Sequence, residues 1–270
     1  MALSPTMNVM LRAVEKASKS LVRDFGEVEQ LQVSTKGPGD FVSAADHRAE
    51  KILFEELKKS RPDFGFLMEE QGEVKGADNE YRWIIDPLDG TSNFLHGLPH
   101  WAISLALEKN GEVVAGIVYD PIKDELFRAE KGNGAFMRNK RLRVSGRRDL
   151  NISIIAGGGP NLSRKTTHRE VFMKQLHSVL ENTAGFRRNG AASLDLAYVA
   201  AGRFEGYWED ALNPWDVAAG ALIVKEAGGF IGTVRGSGNP VYDGDILATN
   251  ALLSDKIRLL LSAPLKQEAA

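Results

Sequence analysis

The segment WIIDPLDGTSNF, residues 83–94, constrains this chain more than any other. A short apolar run, Trp83 to Ile85, reads as a buried strand, and it delivers Asp86 and Asp89 into a tight loop three residues apart. Pro87 fixes φ and stiffens that loop, while Gly90 permits close backbone approach to a ligand. If a helix or turn starts at Thr91, the amides of Gly90, Thr91 and Ser92 face outward with the positive end of its dipole, which suits an anion. Asp-Pro-Leu-Asp-Gly is also an ordinary turn sequence, so this segment needs support from elsewhere.

Further acids stand where strands end or helices begin. Asp46 precedes or opens a helix marked by Ala49, Ile52, Leu53 and Leu57. Glu69 follows the short strand in FGFLMEE, and Asp216 opens the helix PWDVAAGALIVKEAGG. Asp46 and Asp216 suit helix capping equally well. Acids alone would repel a phosphate, whereas acids holding divalent cations attract one. An all-oxygen donor set favours Mg²⁺, with Mn²⁺ as a substitute, over zinc. Such a cluster suits hydrolysis of a phosphate monoester, where electrostatic stabilisation supplies on the order of 20 kcal/mol.

The bulk numbers remove other classes. A hydrophobic fraction of 43% with 26% charged residues is that of a folded globular chain. The formal net charge of −2 gives no general attraction to nucleic acid or an anionic membrane. The chain has no cysteine, which excludes disulfides and thiolate metal sites. Residues 1–20 lack a basic stretch followed by an apolar core, so a signal peptide is not expected. No apolar run is long enough to span a bilayer, and the expected location is the cytoplasm.

Residues 7–24 carry apolar positions at helical spacing. STKGPGDFVSAAD reads as a loop, and the region around KNGE as a hairpin with an Asn-Gly turn. The polar stretch MRNKRLRVSGRRDLN separates an N-terminal α+β part, residues 1–148, from a C-terminal α/β part, residues 149–270. The basic cluster Arg138, Lys140, Arg141, Arg143, Arg147 and Arg148 lacks interleaved aromatics, so we read it as a solvated face without sequence-specific nucleic-acid binding. Gly157-Gly158-Gly159 reads as a loop, His96 and His100 as packing residues, and Asp243 with Asp245 as a turn.

WIIDPLDGTSNFLH and WDVAAGALIVKEAGG resemble the two signature segments of the inositol monophosphatase family. DFVSAADHRAE and FLMEEQG are similar to its supporting acidic motifs, so the resemblance spans nearly the whole chain. FRRNGAASLDLAYVAAGRFEGYWE resembles the bacterial, SuhB-type branch. The resemblance implies a layered αβαβα sandwich and a Mg²⁺-dependent, lithium-sensitive phosphatase that forms a homodimer. It implies two or three ions held by Glu69, Asp86, Asp89, Asp216 and the Leu88 carbonyl. Thr91 and Glu69 would orient the attacking water, with Asp46 beside them. The Gly90 and Thr91 amides would hold the phosphate, and Glu209 with the Gly190-Ala191-Ala192 turn would meet the substrate alcohol. Lys36 would approach when its loop closes. Asn213 replaces a histidine found in animal relatives, which leaves the alcohol open: inositol 1-phosphate leads, with other sugar, histidinol and nucleoside phosphates as alternatives. SuhB-type relatives further imply an interaction role with RNA polymerase and its elongation factors, for which Arg187 and Arg188 are candidates.

Overall fold

The computed structural model describes residues 3–27, 33–37, 40–159 and 166–266 of the chain. Helix α1 (Pro5–Phe25) starts at Ser4, whose side chain accepts from the Met7 amide, with Pro5 in the first turn. Strands β1 (Val33–Gly37) and β2 (Asp40–Ser43) pair as a hairpin. That corrects the loop expected for STKGPGDFVSAAD: pairing of Val33 with Ser43 and Thr35 with Phe41 outweighs the local Gly-Pro-Gly signal. Helix α2 (Ala44–Ser60) follows directly, then β3 (Gly65–Met68), β4 (Gly72–Val74), β5 (Tyr81–Asp89) and the short α3 (Thr91–Leu95).

A meander continues through β6 (Ala102–Lys109), β7 (Glu112–Asp120), β8 (Glu125–Glu130), β9 (Gly134–Met137) and β10 (Lys140–Arg141). Asn110 and Gly111, both at positive φ, make the predicted turn between β6 and β7. The remaining elements are β11 (Ile154–Gly157), α4 (Thr166–Asn182), β12 (Gly185–Arg187), α5 (Ala192–Ala200) and β13 (Gly206–Asp210). Helix α6 (Pro214–Glu226), β14 (Gly229–Gly232), β15 (Asp245–Asn250) and α7 (Ser254–Lys266) complete the fold.

Eight strands form one sheet in the order β10-β9-β8-β7-β6-β5-β3-β4, and five form a second in the order β12-β11-β13-β15-β14. Alternation along β5 sends Trp83 and Ile85 to a core with α1 and α2, and Ile84 to a core with α5 and α6. Both faces of this sheet are therefore covered, which explains why β5 reads as a continuous apolar run. The second sheet presents Ala156, Tyr207, Ile246 and Ala248 to the α5/α6 layer. Its other face, with Ile155, Trp208 and Leu247, meets Val179 of α4 and Ile257 and Leu261 of α7. The result is a layered αβαβα sandwich, and both sheets pack on α6.

Small residues permit that central position. Ala102, Ala106 and Gly116 of the large sheet share a core with Ala218, Ala219 and Ala221 of α6, and a Cβ on Gly116 would stand 3.0 Å from the Ala219 backbone. Gly220 likewise lies against Leu196 of α5. Among the described residues no helix is long and apolar enough to cross a membrane.

Candidate active site

Four elements, α2, β3, β5 and α6, deliver the acids to one place. Strand β5 runs on through Pro87 to Asp89, with an irregular register between Asp86 and Asp89 where it pairs with β6. That irregularity lets both carboxylates leave the ladder on one side of the loop. Asp86 accepts from the Leu88 amide at 2.8 Å, which tightens the turn around Pro87. Glu69 follows β3, its amide bonded to the Ile85 carbonyl, so the parallel β3–β5 pair sets it beside Asp86. The Glu69 carboxyl lies close enough to Asp86 to raise it. Asp216 arrives from the first turn of α6 and accepts from the Asn213 amide at 2.7 Å. The Trp215 carbonyl accepts from Ser104 of β6, which fastens this turn to the large sheet.

Asp89 faces the start of α5. It accepts from the Ser193 amide at 2.7 Å, the Ala192 amide at 3.3 Å and the Ser193 hydroxyl. A carboxylate 103 residues away in sequence from Ala192 thus caps this helix. Gly190 sits at φ +86 before it. Asn93 of α3 donates to the Asn189 carbonyl and to the His100 carbonyl, both at 2.8 Å, joining the β5 loop to the Gly190 turn.

Gly90 adopts φ +92, and a side chain there would press on the His100 carbonyl and Ala191. Helix α3 begins at Thr91, and the Phe94 amide is the first to bond back, to the Gly90 carbonyl. The Thr91 hydroxyl contacts the Leu88 carbonyl at 3.1 Å and Asp46 at 3.3 Å. Ser43 is the N-cap of α2, so Asp46 is not the cap itself but the third helical residue, closing a capping box by accepting from the Ser43 amide and hydroxyl. One of its oxygens serves that box and the other reaches Thr91.

The electrostatics follow from burial. Asp86 is 2% exposed and its carboxyl is held well above the usual range, first by desolvation and then by Glu69, Asp89 and Asp216. Asp89 is pushed up to about 6 by desolvation, partly offset by the Ser193 donors. Desolvation raises Asp216 strongly, with Asp89, Glu69 and Glu209 adding to it, and burial raises Asp46. These groups repel one another at close quarters, so a cation among them would relieve a standing cost. No group of three or more acidic or imidazole side chains among the described residues is already set as a metal-holding cluster. The acids are instead turned to amides, hydroxyls and each other. The oxygen-only donor set and the crowding of charge fit a hard divalent ion, and loading it would exchange those partners for the ion.

The substrate side is less enclosed. Glu209, at the end of β13, accepts from the Tyr207 hydroxyl and borders a cavity of about 310 Å³. Asn213 is exposed at the start of α6. The Lys36 side chain lies outside the described residues. Sequence reasoning missed Ser193 and Asn93, and also Glu50, a fully buried acid on α2 that accepts from the Glu70 and Gln71 amides and steadies the Glu69 loop. An acid on the apolar face of a helix was the available signal for Glu50. Asp245 is a correction: it is buried, opens β15 and accepts from the Val234 and Arg235 amides, so only Asp243 is a turn residue. In the basic cluster Arg138 pairs with Asp124 and Arg147 with Glu205, while Arg141 lies over the Phe136 ring.

Comparison with known proteins gives the same family throughout. The profile of the inositol monophosphatase family matches residues 2–264. The chain is 51% identical to an inositol-1-monophosphatase of Mesorhizobium japonicum, over 98% of this chain and 99% of that protein. It is 41% identical to the Nus factor SuhB of Escherichia coli, over 91% of each. The crystal structure of the extragenic suppressor protein suhB from Bartonella henselae superposes with a TM-score of 0.93 at 52% identity, covering 96% of this chain and 99% of that one. With its two signature segments meeting at one acid-lined basin, this chain belongs to the inositol monophosphatase family.

Proposed function

We propose that the protein hydrolyses a small phosphate monoester with the help of Mg²⁺, inositol 1-phosphate being the leading substrate. One observation carries this reading: buried acids from separate elements crowd one basin beside the start of α3, where Gly90 brings no side-chain cap. Crowding several buried carboxylates raises their mutual repulsion, which a bound cation would relieve. The 51% identity to an inositol-1-monophosphatase supports the choice of substrate.

In this reading Glu69, Asp86, Asp89, Asp216 and the Leu88 carbonyl hold two or three ions, with Mn²⁺ as a substitute. Bound ions would make a coordinated water more acidic and offset charge on the leaving oxygen. Everything else falls to the chain. The Thr91 hydroxyl proton is committed to the Leu88 carbonyl or to Asp46, so its oxygen is left to accept from the attacking water. Glu69 would accept a hydrogen bond from the other O–H of that water and fix its direction. The Gly90 and Thr91 amides donate to phosphate oxygens at the helix start. Glu209 accepts from an alcohol hydroxyl, and the Gly190-Ala191-Ala192 turn flanks it. The site is then shared between residues 1–148 and 149–270.

Phosphate release from a panel of inositol, sugar, histidinol and nucleoside phosphates, with and without Mg²⁺, tests the proposal. Mg²⁺-dependent turnover of inositol 1-phosphate is expected; a panel on which neither Mg²⁺ nor Mn²⁺ elicits turnover would overturn it. The likeness to a Nus factor supports a second, separable role as an interaction protein for RNA polymerase or its elongation factors. A pull-down with the polymerase and its factors that recovers nothing would count against that role.

A further inference from the structure

Glu209 is the candidate contact to the substrate alcohol, and its carboxylate must be aimed by its surroundings. Its charge reaches Asp195 and Asp216, and it also lines the cavity of about 310 Å³ with Gly158, Phe172 and Trp208. It therefore stands between the acid basin and a space able to take an alcohol.

Two neighbours bear on where that carboxylate lies. A Cβ on Gly158 would stand 1.8 Å from Glu209 Cδ and 1.9 Å from each of its oxygens. Gly158 is not at positive φ, so the space claimed by Glu209 is what excludes a side chain, rather than backbone conformation. Its amide bonds the Trp208 carbonyl, which ties the end of β11 to the strand that carries Glu209. From the other neighbour, the Tyr207 hydroxyl donates to Glu209 Oε2, and Tyr207 is itself fully buried.

The geometry points to Gly158 and Tyr207 as positioning residues that hold Glu209 as a selector for hydroxyl-bearing leaving groups. This rests on the phosphatase reading above. A site built to bond a substrate hydroxyl discriminates strongly against analogues that lack it. Misplacing the acceptor should therefore harm a polyol phosphate and spare an aryl phosphate. The three atoms nearest a Cβ at Gly158 all belong to the movable end of the Glu209 side chain, so Gly158→Ala should act first by shifting Glu209. Tyr207→Phe keeps the ring and removes one donor.

The experiment measures Mg²⁺-dependent kcat and KM for inositol 1-phosphate and for p-nitrophenyl phosphate in wild type, both single variants and the double variant, with melting curves as a check on folding. Each single variant is expected to raise KM for inositol 1-phosphate on the order of tenfold, the size of one charged hydrogen bond. The kcat/KM for p-nitrophenyl phosphate should change less than about twofold. The double variant should lose less than the product of the singles, because both act through one carboxylate. Equal losses on the two esters, or no loss on either, would overturn the clamp while leaving the phosphatase reading intact. Absence of Mg²⁺-dependent turnover of both esters by wild type would overturn both.

Discussion

Gly116→Ala tests whether the central position of α6 sets the geometry of the basin. The new Cβ would stand 3.0 Å from both Cα and the carbonyl oxygen of Ala219, and 3.3 Å from its Cβ. Comfortable carbon contacts lie at about 3.5–4.0 Å, so α6 must withdraw from β7 by roughly 0.5–1 Å. The colliding atoms are mostly helix backbone, which cannot rotate away. Overpacking of this kind costs about 1–3 kcal/mol. At about 2–4 °C per kcal/mol in a chain of this size, the melting temperature should fall by roughly 2–12 °C. Asp216 lies three residues before Ala219 on the same helix, so it moves too. Misplacement of a catalytic group by about 1 Å can cost on the order of 100-fold. We expect a drop in kcat/KM of about tenfold or more, with a higher Mg²⁺ requirement. Gly146→Ala, where nothing lies within 4 Å, serves as control. Melting curves and phosphate release on the same preparations decide the matter. A Gly116→Ala protein as stable as the control, or one destabilised with its Mg²⁺ dependence unchanged, would refute the coupling between packing and site.

Asp89→Asn should abolish Mg²⁺-dependent turnover while circular dichroism stays unchanged, since the amide keeps an acceptor for α5 but loses the charge; retained turnover would remove Asp89 from the reaction. Mg²⁺ at a hundred times its dissociation constant should stabilise the fold by about 2.7 kcal/mol, read as a rise of roughly 5–10 °C in melting temperature. A melting temperature indifferent to Mg²⁺ would contradict an ion site among the acids. Burial, followed by the charge of Lys123, lowers His100 to about 4 from its ordinary 6.5. The unfolded chain then binds this proton first, so the stability it contributes is complete above pH 6.5 and is lost as pH falls toward 4. In urea melts, wild type should lose stability relative to His100→Gln as pH falls through that window; a constant difference would show that His100 does not titrate there.

The residues that are legible in sequence are those whose meaning is local. Apolar spacing marks α1, a glycine stop marks the end of α6, the Asn110-Gly111 pair marks its hairpin, and the buried run before Asp86 marks β5 because both faces of its sheet are covered. The β1–β2 hairpin escaped notice because its stability comes from cross-strand pairing, while its own letters signal a turn. Ser193 and Ala192 meeting Asp89, Glu50 holding the amides after Glu69, and Glu209 filling the place of a side chain on Gly158 had no sequence signal of comparable strength.

By itself the amino-acid order marked most strands and helices, the β1–β2 hairpin apart, and which of their ends carry acids. Tertiary structure alone decided that those ends meet, through small residues that let α6 settle between two sheets and through amides of α5 drawn to Asp89. The reason is one of range. Backbone periodicity acts over a few residues, whereas the charge crowding that suits this basin to cations exists only after distant segments have packed.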